Sequence, residues 1–387
     1  MPASFPRVPH RRSAAILCLL LAACGPAGER GAEVDARVPA RASAPAAADL
    51  APPAGDPADT VLLARALERA RELPRLRGMV VSQGGDVILR HFTDGAGMDR
   101  AANVKSASKS VLSALVGIAI AEGDIRGTEQ PIHEFFPDYF ARSGVDPTKR
   151  AITVGHLLSM QSGLESTSFG GYGAWVNSRD WVRAALDRPM VDAPGGRMLY
   201  STGSSHLLSA ILTRATGMST HAYANEKLGD ALGGRIRPWQ RDPQGIFFGG
   251  NDMYLSPRQV LRFGQLWLNG GMMDGRQVVP RAWVEASVVP RASSPWNGHE
   301  YGLGWWSRDS AGRRAWFAWG YGGQYVFVVP EVELVAVFTS QPDLPRGGDH
   351  LRALHALVDD YLVPGAAARS AAPAGSGEGQ APRIGPG

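Results

Sequence analysis

A serine three residues ahead of a lysine, Ser106-Ala107-Ser108-Lys109, opens a long apolar run. Residues three apart on a helix share a face, so the Ser106 hydroxyl and the Lys109 amine can converge. A helix N-terminus also supplies unpaired N–H groups and a positive dipole end, which suits an oxyanion. A lysine set against an apolar helix loses its charge more readily and can take a proton from the serine. This is the chemistry of an activated nucleophile. The pattern is short, however, and a chain with this much serine can contain it by chance.

The pair must be held by the helix that follows it. Val111, Leu112, Leu115, Val116, Ala119 and Ile120 recur at helical spacing over 106–122, and Gly123 closes the run. An amphipathic helix near 59–73 precedes it, then a hairpin in which Met79 to Val81 and Val87 to Leu89 flank Gly84-Gly85-Asp86. Helical patterns continue at 153–160, 178–187, 204–216, 256–270 and 280–288, and strand patterns return at 301–307, 313–319 and 324–339. Strands at both ends with helices between predict an α/β (α+β) domain whose sheet joins N- and C-terminal strands, with a helix-rich second lobe.

Of 387 residues 44% are hydrophobic, which excludes a wholly disordered, collagenous or multi-span membrane chain. Two cysteines exclude a disulfide scaffold or a Cys-rich zinc module. The formal charge of +4 suggests nucleic acid only until three of the basic residues are placed in a leader. Arg7, Arg11 and Arg12 precede an apolar run, Ala14 to Ala23, that is too short to span a bilayer permanently. Without that leader the charges nearly balance, and no nucleic-acid partner is expected. Leu21-Ala22-Ala23-Cys24 resembles a bacterial lipobox, which makes 1–23 a lipoprotein signal peptide and Cys24 the lipidated residue. An ordinary cleavage site beside an incidental cysteine is the alternative. Residues 24–57, rich in Ala, Pro and Gly, are expected to form a flexible tether, and 365–387 a disordered tail around a folded domain at 58–364. The expectation is an exported protein of a bacterial cell envelope, held on a membrane through Cys24 and facing the periplasm or exterior.

Three further landmarks lie downstream. They are Ile152-Thr153-Val154-Gly155-His156-Leu157-Leu158-Ser159-Met160-Gln161-Ser162-Gly163-Leu164, then Met198-Leu199-Tyr200-Ser201-Thr202-Gly203, then Gly320-Tyr321-Gly322-Gly323-Gln324 ahead of two strands. Together with Asn103-Val104-Lys105-Ser106-Ala107-Ser108-Lys109-Ser110 and the run from Gly249 to Gly271, they follow one order. In that order the chain resembles the serine β-lactamase and penicillin-binding-protein superfamily over roughly 75–363.

The resemblance implies a β-lactamase-like fold and the following roles. Ser106 would be acylated, with Lys109 as its proton partner. Tyr200 would be the shared base and acid, its phenol pKa lowered by Lys109. The backbone N–H groups of Ser106 and Gln324 would form the oxyanion hole, and Thr202, Tyr321, Gly322 and Gly323 would bind substrate. No metal or cofactor is implied. Two departures matter. Thr202 stands where many members have Asn, and Tyr321 where β-lactamases and transpeptidases keep Lys or His. A cation there helps hold a carboxylate, whereas a tyrosine offers one weaker neutral hydrogen bond. The chain therefore looks more like the esterase and amide-hydrolase branch that includes 6-aminohexanoate-dimer hydrolase, with a small ester or amide as substrate. A β-lactamase or D,D-peptidase, or a non-catalytic sensor of peptidoglycan fragments, are the alternatives.

No Gly-x-Ser-x-Gly elbow, His-Glu-x-x-His, Walker loop or dinucleotide fingerprint occurs. His156 and His206 lie in apolar helical segments and are expected to be packing residues. Among the C-terminal tryptophans, most are expected in the core, with Trp305 or Trp319 as candidates for an aromatic wall. The loops 163–180 and 240–255 are expected to set specificity, with Trp175, Phe247 and Phe248 as their apolar content.

Overall fold

The computed structural model describes residues 57–93, 95–342 and 347–371. The leader, Cys24, nearly all of the expected tether and the last part of the expected tail lie outside these residues.

One antiparallel sheet organises the domain. Its strands are β1 (Leu76–Gln83), β2 (Asp86–Phe92), β3 (Ala292–Ser293), β4 (Glu300–Tyr301), β5 (Trp306–Ser310), β6 (Arg313–Gly320), β7 (Gln324–Val329) and β8 (Leu334–Ser340). They lie in the order β2-β1-β8-β7-β6-β5-β4-β3, so the first hairpin joins the sheet along the last strand. Val80 stands opposite Val337, and Phe327 stands between Ala336 and Phe317. The expected union of terminal strands is therefore found.

β7 and β8 are buried along their whole length. Alternate side chains on a strand point to opposite faces, so such strands must be covered twice. Tyr325, Phe327, Val329, Leu334, Ala336 and Phe338 point into one core with Leu63, Leu67 and Leu362. Val326, Val328, Val335 and Val337 point into the other with Leu261, Phe263 and Leu115. Each fully buried side chain of this kind contributes about 1.5–3 kcal/mol.

The first face is covered by α1 (Pro57–Arg71) and by a C-terminal pair, α6 (Gly347–Ala356) and α7 (Val363–Ala371), joined by a π-helical segment, Leu357–Leu362. The expected boundary at 364 falls inside α7. Residues 365–371 are helical rather than part of a disordered tail: Ala366 is buried, and the Gln83 amide donates to its carbonyl at 2.8 Å. The other face carries α5 (Pro257–Leu268), whose start is fixed by a capping box between Ser256 and Gln259. Beyond it lies the helical lobe, in which α2 (Ser108–Glu122) packs against α3 (Thr202–Thr216) and α4 (Thr220–Leu228). α2 ends where its sequence predicts, at Gly123 in the left-handed conformation that glycine adopts without steric strain. α4 was not expected; its polar sequence Thr-His-Ala-Tyr-Ala-Asn-Glu-Lys-Leu shows little apolar periodicity, and tertiary packing of Tyr223 and Leu228 holds it.

Candidate active site

Ser106 sits in a single 3-10 turn, Lys105–Ala107, that leads into α2. Lys105 has a φ of +51°, a left-handed conformation that a non-glycine residue holds at a cost of about 1–3 kcal/mol. Neighbouring side chains hold it. The Lys105 N–H donates to Asn103 Oδ1 at 2.9 Å, and Asn103 Nδ2 donates to Asp252 Oδ1 at 2.6 Å. The turn also packs against β6 and β7. Gly320, at the end of β6, allows this approach: a Cβ there would lie 2.1 Å from the Val104 carbonyl oxygen.

Lys109 is buried one turn further on, with its Nζ 3.1 Å from Ser106 Oγ. The same amine reaches Thr202 Oγ1 at 3.4 Å and the Gly250 carbonyl at 2.6 Å. All three neighbours are neutral oxygens. With no carboxylate to hold the charge, desolvation brings the Lys109 pKa down to about 7.

Tyr200 completes the group, but not as the resemblance implied. Burial pushes its phenol up to about 12, against a smaller opposing effect from its hydrogen bond with Ser106. Lys109 Nζ lies over the ring, 5.1 Å from its centroid, and an amine that readily becomes neutral gives little help to a phenolate. The expected lowering of the Tyr200 pKa is therefore absent, and burial favours the protonated phenol. Thr202 fills the place of the usual amide: its N–H donates to Ser168 Oγ at 2.9 Å, and the two hydroxyls lie 3.0 Å apart. Ser168, Thr202, Lys109 and Ser106 thus form a continuous chain of hydrogen-bonding groups. Nothing in the sequence singled out Ser168.

Ser106, Ser168, Tyr200 and Thr202 line a cleft of about 790 Å³. Tyr321 and Gly322 of the last landmark line it, with Tyr321 70% exposed. Gly323 and Gln324 do not line it. A Cβ on Gly323 would meet Leu354, Ser340 and His350, and the Gln324 side chain is turned into the sheet. There its Nε2 donates to the Ser340 carbonyl at 2.6 Å and its Oε1 accepts from the Ser340 N–H at 3.1 Å.

The walls are aromatic. Tyr200 stacks on Trp306 with ring centroids 6.0 Å apart, Trp306 meets Trp319, and Phe169 meets Trp296 edge to face at 5.2 Å. Trp319 thus lines the cleft as expected, whereas Trp305 is fully buried against Phe263 and Trp267. Trp296, counted with the core by its position, is 56% exposed at the rim. The loop 163–180 contributes Ser168, Phe169 and Tyr172, while 240–255 contributes Asn251, whose amide donates to the Tyr172 hydroxyl at 2.7 Å. Trp175, Phe247 and Phe248 are core residues instead. His206 is buried with Nε2 2.9 Å from Asp242, and His156 forms the capping box of a short helix at Val154–Leu158, so both histidines have structural places.

The sequence matches the Beta-lactamase family over residues 63–360. It is 26% identical over 263 residues to the 6-aminohexanoate-dimer hydrolase of Paenarthrobacter ureafaciens, covering 60% of this chain and 64% of that protein's length. Among solved structures, a Bacillus anthracis protein provisionally named a 6-aminohexanoate-dimer hydrolase superposes with a TM-score of 0.65 at 20% identity, over 79% of this chain and 83% of that one. EstCE1, a hydrolase with promiscuous acyltransferase activity, superposes with a TM-score of 0.63 at 17% identity, over 78% and 99%. At such identities the two structures speak for the fold alone. The family match spans most of the chain and includes every landmark from Ser106 to Gln324: the protein belongs to the Beta-lactamase family and has its β-lactamase-like fold.

Proposed function

We propose that the protein cleaves a small ester or amide through an acyl-enzyme on Ser106. The observation that carries this reading is a buried lysine, without an anionic partner, 3.1 Å from the Ser106 hydroxyl at an aromatic cleft. Above about pH 7 the neutral Lys109 amine takes the Ser106 proton as Oγ attacks the substrate carbonyl. The backbone N–H of Ser106, which lines the cleft, is the proposed oxyanion donor; Gln324 lies outside the lining and is not given that role. The tetrahedral intermediate collapses with loss of the alcohol or amine, which receives a proton from Tyr200. Lys109 returns its proton to the Tyr200 phenolate, and a water molecule then adds to the acyl group, releasing the acid and restoring Ser106.

The name of the Paenarthrobacter relative, 6-aminohexanoate-dimer hydrolase, supports the amide side of this reading. Export and anchoring through Cys24 are proposed on the leader sequence alone. Cys24→Ala should move the protein from the membrane to the soluble fraction. The catalytic proposal is tested by intact mass spectrometry after mixing with a p-nitrophenyl acyl ester. An adduct of the acyl mass and release of p-nitrophenol, both lost in Ser106→Ala, are expected. A folded wild-type protein that gives neither would overturn the reading.

A further inference from the structure

Arg75 lies between α1 and β1, in a stretch that no catalytic landmark touches. It nevertheless lines the same cleft as Ser106, Tyr321 and Gly322, although only 5% of it is exposed. Its Nε donates to the Gln341 carbonyl at 3.2 Å and its Nη2 to the Pro342 carbonyl at 3.0 Å. Both acceptors are neutral, and Nη1 has no partner among the described residues. Pro342 in turn abuts the Tyr321–Gly322 turn so closely that a Cβ on Gly322 would fall 2.5 Å from its Cα. The guanidinium is thus anchored directly behind the turn where β-lactamases and transpeptidases keep a Lys or His and this chain has Tyr321.

A lysine in such a place could shed its proton, but arginine does not. A buried, permanent positive charge held only by carbonyl dipoles favours an anion wherever one can reach it. Among the described residues, the charged neighbours do not supply one. Lys105, the other cation of the cleft, already faces Asp252 at 3.5 Å. His350, beside Arg75, is held neutral by burial and by the arginine itself, with its pKa down at about 4.

We propose that Arg75 is the anion anchor of this cleft, and that the substrate is an ester or amide bearing a carboxylate that binds beside the Tyr321–Gly322 turn. This deepens the hydrolase reading and rests on it for the reacting bond. It also replaces the expectation that Tyr321 leaves the site with a neutral hydrogen bond only.

Two matched ester pairs test it. One is p-nitrophenyl hydrogen adipate against its methyl ester, with the charge on the acyl side. The other is meta-carboxyphenyl butanoate against its methyl ester, with the charge on the leaving group. Wild type should favour the carboxylate member of at least one pair by about tenfold to a hundredfold in kcat/KM, as a charge-assisted contact predicts. Arg75→Met should bring that ratio close to one, and Arg75→Lys should keep part of it. If Arg75→Met does not fold, Arg75→Gln takes its place. Equal rates within both wild-type pairs, or a preference that survives loss of the guanidinium, would overturn the anchor. Failure of all four esters to label Ser106 would instead sink the hydrolase reading. The anchor would then be judged by monomethyl adipate: a rise in melting temperature in wild type that is lost without Arg75 supports it, and no rise in wild type overturns it.

Discussion

The floor and the rim of the cleft are built in opposite ways. On the floor, Ser106 and Lys109 come from one turn of chain and are tied by hydrogen bonds to Thr202, Ser168 and Gly250. At the rim, Phe169, Trp296 and Tyr321 come from three distant segments, and each is more than half exposed. Proton transfer needs atoms held within hydrogen-bond reach, so it is served by a rigid local motif. Recognition of an apolar acyl group needs area, which scattered rings supply with little mutual constraint. The comparison teaches that chemistry and selectivity should respond differently to substitution here.

The largest effect is expected at the floor. Lys109→Met should lower kcat/KM by about a thousandfold or more, the range of a lost general base. The pH profile sharpens the same point. Because the folded-state pKa of Lys109 is lowered to about 7, wild-type kcat/KM should rise through pH 7 and level off above it, and that inflection should vanish in the variant. The same shift favours folding as pH rises from about 7 toward the ordinary lysine range, since only the unfolded chain then binds the proton. A flat profile in wild type would show that another group accepts the Ser106 proton.

Tyr200→Phe should cost roughly a hundredfold, most of it for amides, whose leaving amine needs a proton more than a phenol does. An equal loss for p-nitrophenyl esters and amides would move Tyr200 from proton donor to a packing role on Trp306. At the rim the effects should be smaller and of another kind. Trp296→Ala should raise KM for a long-chain p-nitrophenyl ester by roughly tenfold and leave acetyl ester hydrolysis little changed, as expected for lost apolar contact. A large fall in kcat would break the division between floor and rim.

How far the sequence could be read follows the same division. The Ser106–Lys109 pair, the helix behind it and the terminal strands were all legible, because each is encoded by spacing within one segment. α4 and the run of α7 to Ala371 were not, since contacts rather than periodicity hold them. The aromatic wall was partly misread: Trp305 and Trp306 are adjacent, yet one is core and the other lines the cleft, because neighbours on an extended chain face opposite ways. The Tyr200 phenol was assigned the wrong direction of shift, because its pKa depends on burial and on where the Lys109 amine lies relative to the ring.

By itself the sequence determined the fold family and the pairing of Ser106 with Lys109, since these rest on residue types at short, fixed separations. The tertiary structure alone decided the directions in which burial moves the Lys109 and Tyr200 pKa values, the place of Ser168, and the presence of Arg75 behind the Tyr321–Gly322 turn. Each of these depends on desolvation or on contacts between segments far apart in the chain, and neither quantity is written in local spacing.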